Sequence, residues 1–240
     1  MLFDLKGKRR RAVQGTYLML AILMGAGLVL FGIGSSTNGG LGDLFSGGGG
    51  SNKGNSVVQK KIDAADKQLQ VNPKNVAALG AVIRGHYQLA SANADPNTGA
   101  FSKDAGTDLQ QAADAWQRYI ATNPPKPDIG LARVMVQAYS GLAQLSRGDQ
   151  ASATRDWAGA AGATELIAGA QPNAANYIAL VQYATLAGQT NKADLAGKKA
   201  IQLAPKGQRK TAQQQVAAAK AAGSSQAGGG TTPAPTGTAP

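Results

Sequence analysis

Pro172 to Pro205 reads PNAANYIALVQYATLAGQTNKADLAGKKAIQLAP, and the spacing inside it decides the fold. Tyr177, Leu180 and Ala184 recur at helical intervals, Gly188 interrupts them, and Ala193, Gly197 and Ala200 resume the rhythm before Pro205 closes it. The second half of this unit appears twice upstream. Ala112-x-x-x-Trp116-x-x-Tyr119 runs to Pro124, and Ala153-x-x-x-Trp157-x-x-Ala160 runs to Pro172. Helix pairs that recur in this way bury their faces on one another and leave one surface free for a partner. The expectation is an all-α protein that binds rather than reacts.

Working outward, the periodicity is helical from Ser56 to Ala222. Val57, Ile62, Ala65 and Leu69 mark a first helix that stops before Asn72-Pro73, and Val76, Leu79, Val82, Ile83, Tyr87 and Leu89 mark a second. Ser91 to Thr107, with Asp95-Pro96-Asn97, reads as a long loop. Leu109 to Ala121 follows, and Asp128 is placed to cap a helix ending at Leu145. Arg147-Gly148-Asp149 is a turn, Ala151 to Ala170 returns, and Ala174 to Leu186 pairs with Lys192 to Leu203. Lys210 to Ala221 closes the array, and residues 223–240 form a low-complexity Thr/Pro tail expected to be disordered. That composition also permits glycosylation or passage into a wall layer.

The N-terminal side is of a different kind. Residues 1–11 carry Lys6, Lys8, Arg9, Arg10 and Arg11 against a single Asp4, and no further charge occurs until Asp43. Residues 12–33 are almost wholly apolar; at about 1.5 Å per residue they reach roughly 33 Å, enough for a bilayer core of ~30 Å. The run predicts a transmembrane helix with the basic end in the cytoplasm and the remainder outside it. A cleaved signal peptide starts similarly, but its apolar region is shorter, and Gly32-Ile33-Gly34 is a weak cleavage site. Arg9-Arg10 lacks the rest of a twin-arginine signal. Ala21 and Gly25 form a small-xxx-small pair, a common and weak dimerisation signal in such spans. Residues 34–55 are a Gly/Ser-rich linker; Lys53-Gly54 stands in the wrong order for a phosphate-binding loop. As a flexible chain its ends lie roughly 26 Å apart, so the helical part is tethered near the membrane without being pressed on it.

Composition narrows the chemistry. The 240 residues include no Cys, which removes disulfides and thiolate metal sites; His86 is the only histidine and Glu165 the only glutamate. Such a set is poor for acid–base work near neutral pH, so no catalytic residue, cofactor or metal ligand is expected and the chain reads as a non-enzyme. His86, Trp116 and Trp157 are expected to be packing residues. The net charge of +11 is concentrated at the N-terminus and in residues 192–220. The second basic stretch is open to anionic lipid, wall polymer or an acidic partner, or is simply a solvated face. Nucleic acid is disfavoured, because aromatic residues for base stacking are missing there.

Tyr177, Leu180, Gly188, Ala193, Ala200 and Pro205 stand at the spacing of the tetratricopeptide repeat (TPR), and the chain resembles that family over residues 56–222. The third unit fits best. Pro73, Pro124 and Pro172 are 51 and 48 residues apart, against an ideal of 34, which implies an insertion at 91–107 and long helices in the middle unit. Ala184 and Gly197 stand where the family usually has bulky residues. The layout is similar to that of membrane-anchored tetratricopeptide proteins of actinobacteria, and in plan to the ancillary subunit of the bacterial Sec translocon. The resemblance implies an α-solenoid whose first helices line a partner-binding groove, here Arg84, Tyr87 and Gln88, then Arg133 and Gln137, then Ile178, Gln182 and Thr185. An ordinary solvated face is the competing reading of the same residues. The function expected is a scaffold or adaptor for protein–protein interaction, single-pass at the outer face of the cytoplasmic membrane. The alternative is an accessory factor or chaperone of protein translocation or envelope assembly.

Overall fold

The computed structural model describes residues 51–227. The basic segment, the apolar run of 12–33, most of the linker and most of the tail lie outside them. Among the described residues no helix is long and apolar enough to cross a membrane.

All regular structure among the described residues is helical: α1 (Ser51–Val71), α2 (Val76–Ala92), α3 (Ala105–Ala121), α4 (Ile129–Leu145), α5 (Gln150–Ala170), α6 (Ala174–Leu186), α7 (Thr190–Leu203), a 3-10 turn (Lys206–Gln208) and α8 (Arg209–Ala227). The starts are chemically marked. The side chains of Asn75, Asp128, Asp149 and Asn173 accept backbone N–H bonds at the first turns of α2, α4, α5 and α6. Pro73, Pro124, Pro172 and Pro205 follow helix ends, where a missing N–H costs nothing. Between α6 and α7, Gly188 adopts φ +68° while its N–H donates to Thr185 and that of Gln189 donates to Ala184. These paired bonds are a Schellman closure, which requires the left-handed conformation that glycine adopts without strain.

Several boundaries differ from the sequence expectation. α1 begins at Ser51, inside the stretch read as linker, and α8 continues to Ala227, inside the stretch read as tail. Both extensions are rich in small and polar residues, and composition alone does not separate a terminal helical turn from a linker. In α1 the buried stripe is Val58, Ile62, Ala65 and Leu69, and Val57 is 53% exposed. The true stripe keeps a 4-3-4 step, which Val57 breaks. Val76 is likewise exposed.

α2 packs on α3, α4 on α5 and α6 on α7, while α5 also lies against α6, and α8 covers parts of α6 and α7. α1 meets α2 where Ile62 lies over Gly85. The extra length of the middle pair is taken up mainly by α5, at 21 residues against 14 for α7. With few aromatics, close approach depends on small side chains. Ala112, Ala132, Ala138, Ala160, Ala161, Ala163, Ala184 and Ala200 are wholly or almost wholly buried. The third pair closes around Leu180, Val181, Ala184, Ala196 and Ala200, with Val216 of α8 pressed onto Gly197. The small residues at 184 and 197 therefore pack closely.

The insertion between α2 and α3 is ordered. Asp95 and Ala100 bond across it, Ala94 and Phe101 form an isolated antiparallel bridge, and the Asp95 carboxylate accepts the Asn97 and Thr98 N–H groups. Phe101 then reaches Gly141 of α4 and meets the Tyr87 ring edge-on at 6.2 Å. What reads as a long loop is a hairpin-like flap seated across α2 and α4.

Candidate partner-binding face

The eight residues that the resemblance assigns to a groove lie on α2, α4 and α6, and most are engaged within the protein. Arg84 is half-exposed and its guanidinium donates to Asp128 at 2.5 Å. The other oxygen of the same carboxylate caps α4 through the N–H groups of Gly130 and Leu131. The Asp128 N–H in turn donates to the Tyr119 hydroxyl of α3 at 2.8 Å. One corner thus ties α2 and α3 to the start of α4. Arg133 donates to the Gln171 side chain at 2.7 Å, joining α4 to the end of α5. Neither arginine stands free, which argues against a basic groove.

Tyr87 packs against Phe101, and burial raises the pKa of its hydroxyl. Ile178 packs partly buried against the core of the third pair. Thr185 donates to the Val181 carbonyl and is covered by α8, since a Cβ on Gly223 would come within 2.7 Å of it. Thr185 is therefore partly buried where α6 meets α8. Gln88, Gln137 and Gln182 remain; their side chains make no hydrogen bond among the described residues, and Gln182 is exposed.

Gln137 opens onto a hollow of about 340 Å³ between the flap and α4, together with Phe101, Ser140, Gly141, Gln144 and Arg147. Ser140, Gln144 and Arg147 are absent from the expected set. The 3-4 step from Gln137 through Ser140 to Gln144 was present in the sequence as a polar stripe. Nothing in the sequence showed that the insertion folds back to wall it. On α6, burial raises the pKa of the Tyr183 hydroxyl, with Ser140 acting in the opposite direction. Trp157 stacks on Tyr183 at 6.0 Å and is only half-buried, whereas Trp116 is 3% exposed and stacked on Tyr119. The two tryptophans are thus not equivalent.

His86 is 7% exposed, with Nδ1 2.9 Å from the Asp108 carboxylate, and joins α2 to α3 as a packed polar contact. Among the described residues no group of three or more His, Asp or Glu could hold a metal ion.

Three exposed carboxylates carry pKa values below the ordinary range. In Asp149 the Ser152 hydroxyl and N–H dominate, in Asp95 the Thr98 and Asn97 N–H groups, and in Asp194 the Lys220 ammonium. Each favours folding above the unfolded-state pKa and loses that contribution as pH falls through the lower folded value. Burial shifts Asp156 the opposite way. Thermal unfolding followed from neutral pH to about pH 2 should therefore show stability falling on the acid side. Asp149→Asn keeps a capping oxygen, so it should leave neutral stability nearly unchanged and flatten that fall; an unaltered acid slope would contradict the assignment.

No family model, curated protein or solved structure matches the chain. The described residues define an all-α protein of successive helix pairs.

Proposed function

We propose that the chain is a membrane-anchored protein of the tetratricopeptide type, a scaffold or adaptor at the outer face of the cytoplasmic membrane. It is not an enzyme on this reading, and it engages a protein partner along α2, α4 and α6. The observation that carries the reading is the order of packing. Three helix pairs follow one another; the first helices of the first two pairs meet at Arg84–Asp128, and the second pair joins the third where α5 lies against α6. On α4 and just after it, Gln137, Gln144 and Arg147 set polar side chains around a hollow walled by the flap. Amide and guanidinium groups around an aromatic floor suit the backbone and acidic or amide side chains of one particular peptide. A holding surface for many unfolded chains needs a contiguous apolar patch. The exposed large apolar residues described are Val57, Val71, Val76 and Leu195, and Leu195 lies on α7, away from this face. The anchor reading is supported by the length of the 12–33 run and the basic residues before it.

The test is photo-crosslinking of the full chain in membranes, from single sites at Gln137, Gln144 and Gln182. Gln213, on the exposed side of α8, serves as the reference site. A discrete product from the first three sites and none from Gln213 supports the scaffold. A broad smear from those three indicates the holding factor, and equal capture at Gln213 rejects the face altogether.

A further inference from the structure

The basic stretch after α6 is not evenly neutralised. Two of its lysines are matched: Lys192 donates to Glu165 at 2.6 Å, and Lys220 pairs with Asp194. Lys198, Lys199, Lys206, Arg209 and Lys210 are all exposed, and none forms an ion pair with a carboxylate among the described residues. Lys198 is near enough to help lower the pKa of Asp194, but Lys220 dominates there. No Asp or Glu occurs from residue 195 to 240.

These cations are gathered within residues 198–210 of the chain. On α7 the buried residues are Ala193, Ala196, Gly197 and Ala200, so the opposite side presents Leu195 and Gln202 flanked by Lys198 and Lys199. Leu195 is 67% exposed, an apolar side chain set among ammonium groups. The turn after Pro205 continues the charge through Lys206 to Arg209 and Lys210, which open α8. Cations in the first turn of a helix oppose its macrodipole, so their position adds nothing to the fold locally and leaves them suited to an external anion.

We propose that this face of α7 and the start of α8 docks on an anionic bilayer surface. The ammonium and guanidinium groups meet lipid phosphates, their aliphatic stems lie along the headgroup region, and Leu195 enters the acyl boundary. A soluble polyanion would engage the charges but offers no apolar layer for the exposed Leu195. The proposal is independent of the partner-binding face, and its readout below is separate from membrane insertion of residues 12–33.

The absence of native Cys makes an introduced one unique. Full-length Gln202→Cys, labelled with an environment-sensitive fluorophore, is reconstituted into phosphatidylcholine vesicles with and without phosphatidylglycerol, each containing quencher-labelled lipid. Insertion is checked separately by flotation, and Asn97→Cys on the flap serves as the reference. The expected result is quenching at position 202 in the anionic vesicles only, reversed by salt and absent at position 97. Replacing the five cations by Gln should weaken docking about fivefold for each charge removed. Because all five are exposed, the helical circular dichroism and melting temperature should hold. Equal quenching in both vesicle types, quenching in neither, or quenching that survives replacement of all five cations overturns the proposal. A response to soluble polyglutamate without one to vesicles overturns it in favour of a polyanion partner.

Discussion

Trp116→Ala is expected to lower the unfolding free energy by about 3–5 kcal/mol. Trp116 is 3% exposed and its ring stacks on Tyr119, one helical turn along α3, at 5.2 Å. Truncation removes most of a large apolar surface from the interior and leaves a cavity that a helix so closely packed cannot collapse into. For a domain of this size the melting temperature should fall on the order of 10 °C. Trp157→Ala should cost clearly less, because that ring is half-buried and rests on Tyr183 at the margin of α5 and α6. Equal losses for the two would contradict the placement of Trp157, and a negligible loss for Trp116 would contradict that of Trp116.

The second large effect separates two glycines on one helix. A Cβ added to Gly159 of α5 would lie 2.6 Å from the Tyr139 ring, whereas one added to Gly162 would meet nothing within 4 Å. Tyr139 has little room to withdraw: it is 5% exposed, and its hydroxyl accepts a hydrogen bond from Gln117 at 2.8 Å. Gly162→Ala should therefore stabilise by about 0.5–1 kcal/mol, the ordinary gain from alanine inside a helix. Gly159→Ala should destabilise by about 1–3 kcal/mol, as overpacking exceeds the same gain. Denaturant unfolding of both variants decides it, and a stabilised Gly159→Ala would mean that α4 and α5 do not approach as described. In a Tyr139→Leu background the penalty at Gly159 should shrink, since the ring is its cause.

Much of the architecture was legible because its determinants are local. Asp128 announces a helix start through its own side-chain oxygen, and Gly188 announces the turn that its backbone conformation then closes. The candidate face was legible only as a register. The spacing identified residues on the first helices of the pairs, but it carried no information about what would lie over them. Arg84 finds Asp128 44 positions away, Arg133 finds Gln171 38 away, and Gly223 arrives over Thr185 from another helix. Each of these partners is set by helix packing, which a periodic pattern does not encode.

The sequence by itself determined the helices, their order, the pairing of neighbours and the unequal distribution of charge, since capping, period and composition act over a few residues. Only the tertiary structure decided which small residues receive an aromatic ring, that the insertion closes over α4, and that two of the lysines are neutralised while five cations are not. Those outcomes depend on distances between segments remote in the chain, where a shift of about one methyl group changes a contact into a clash.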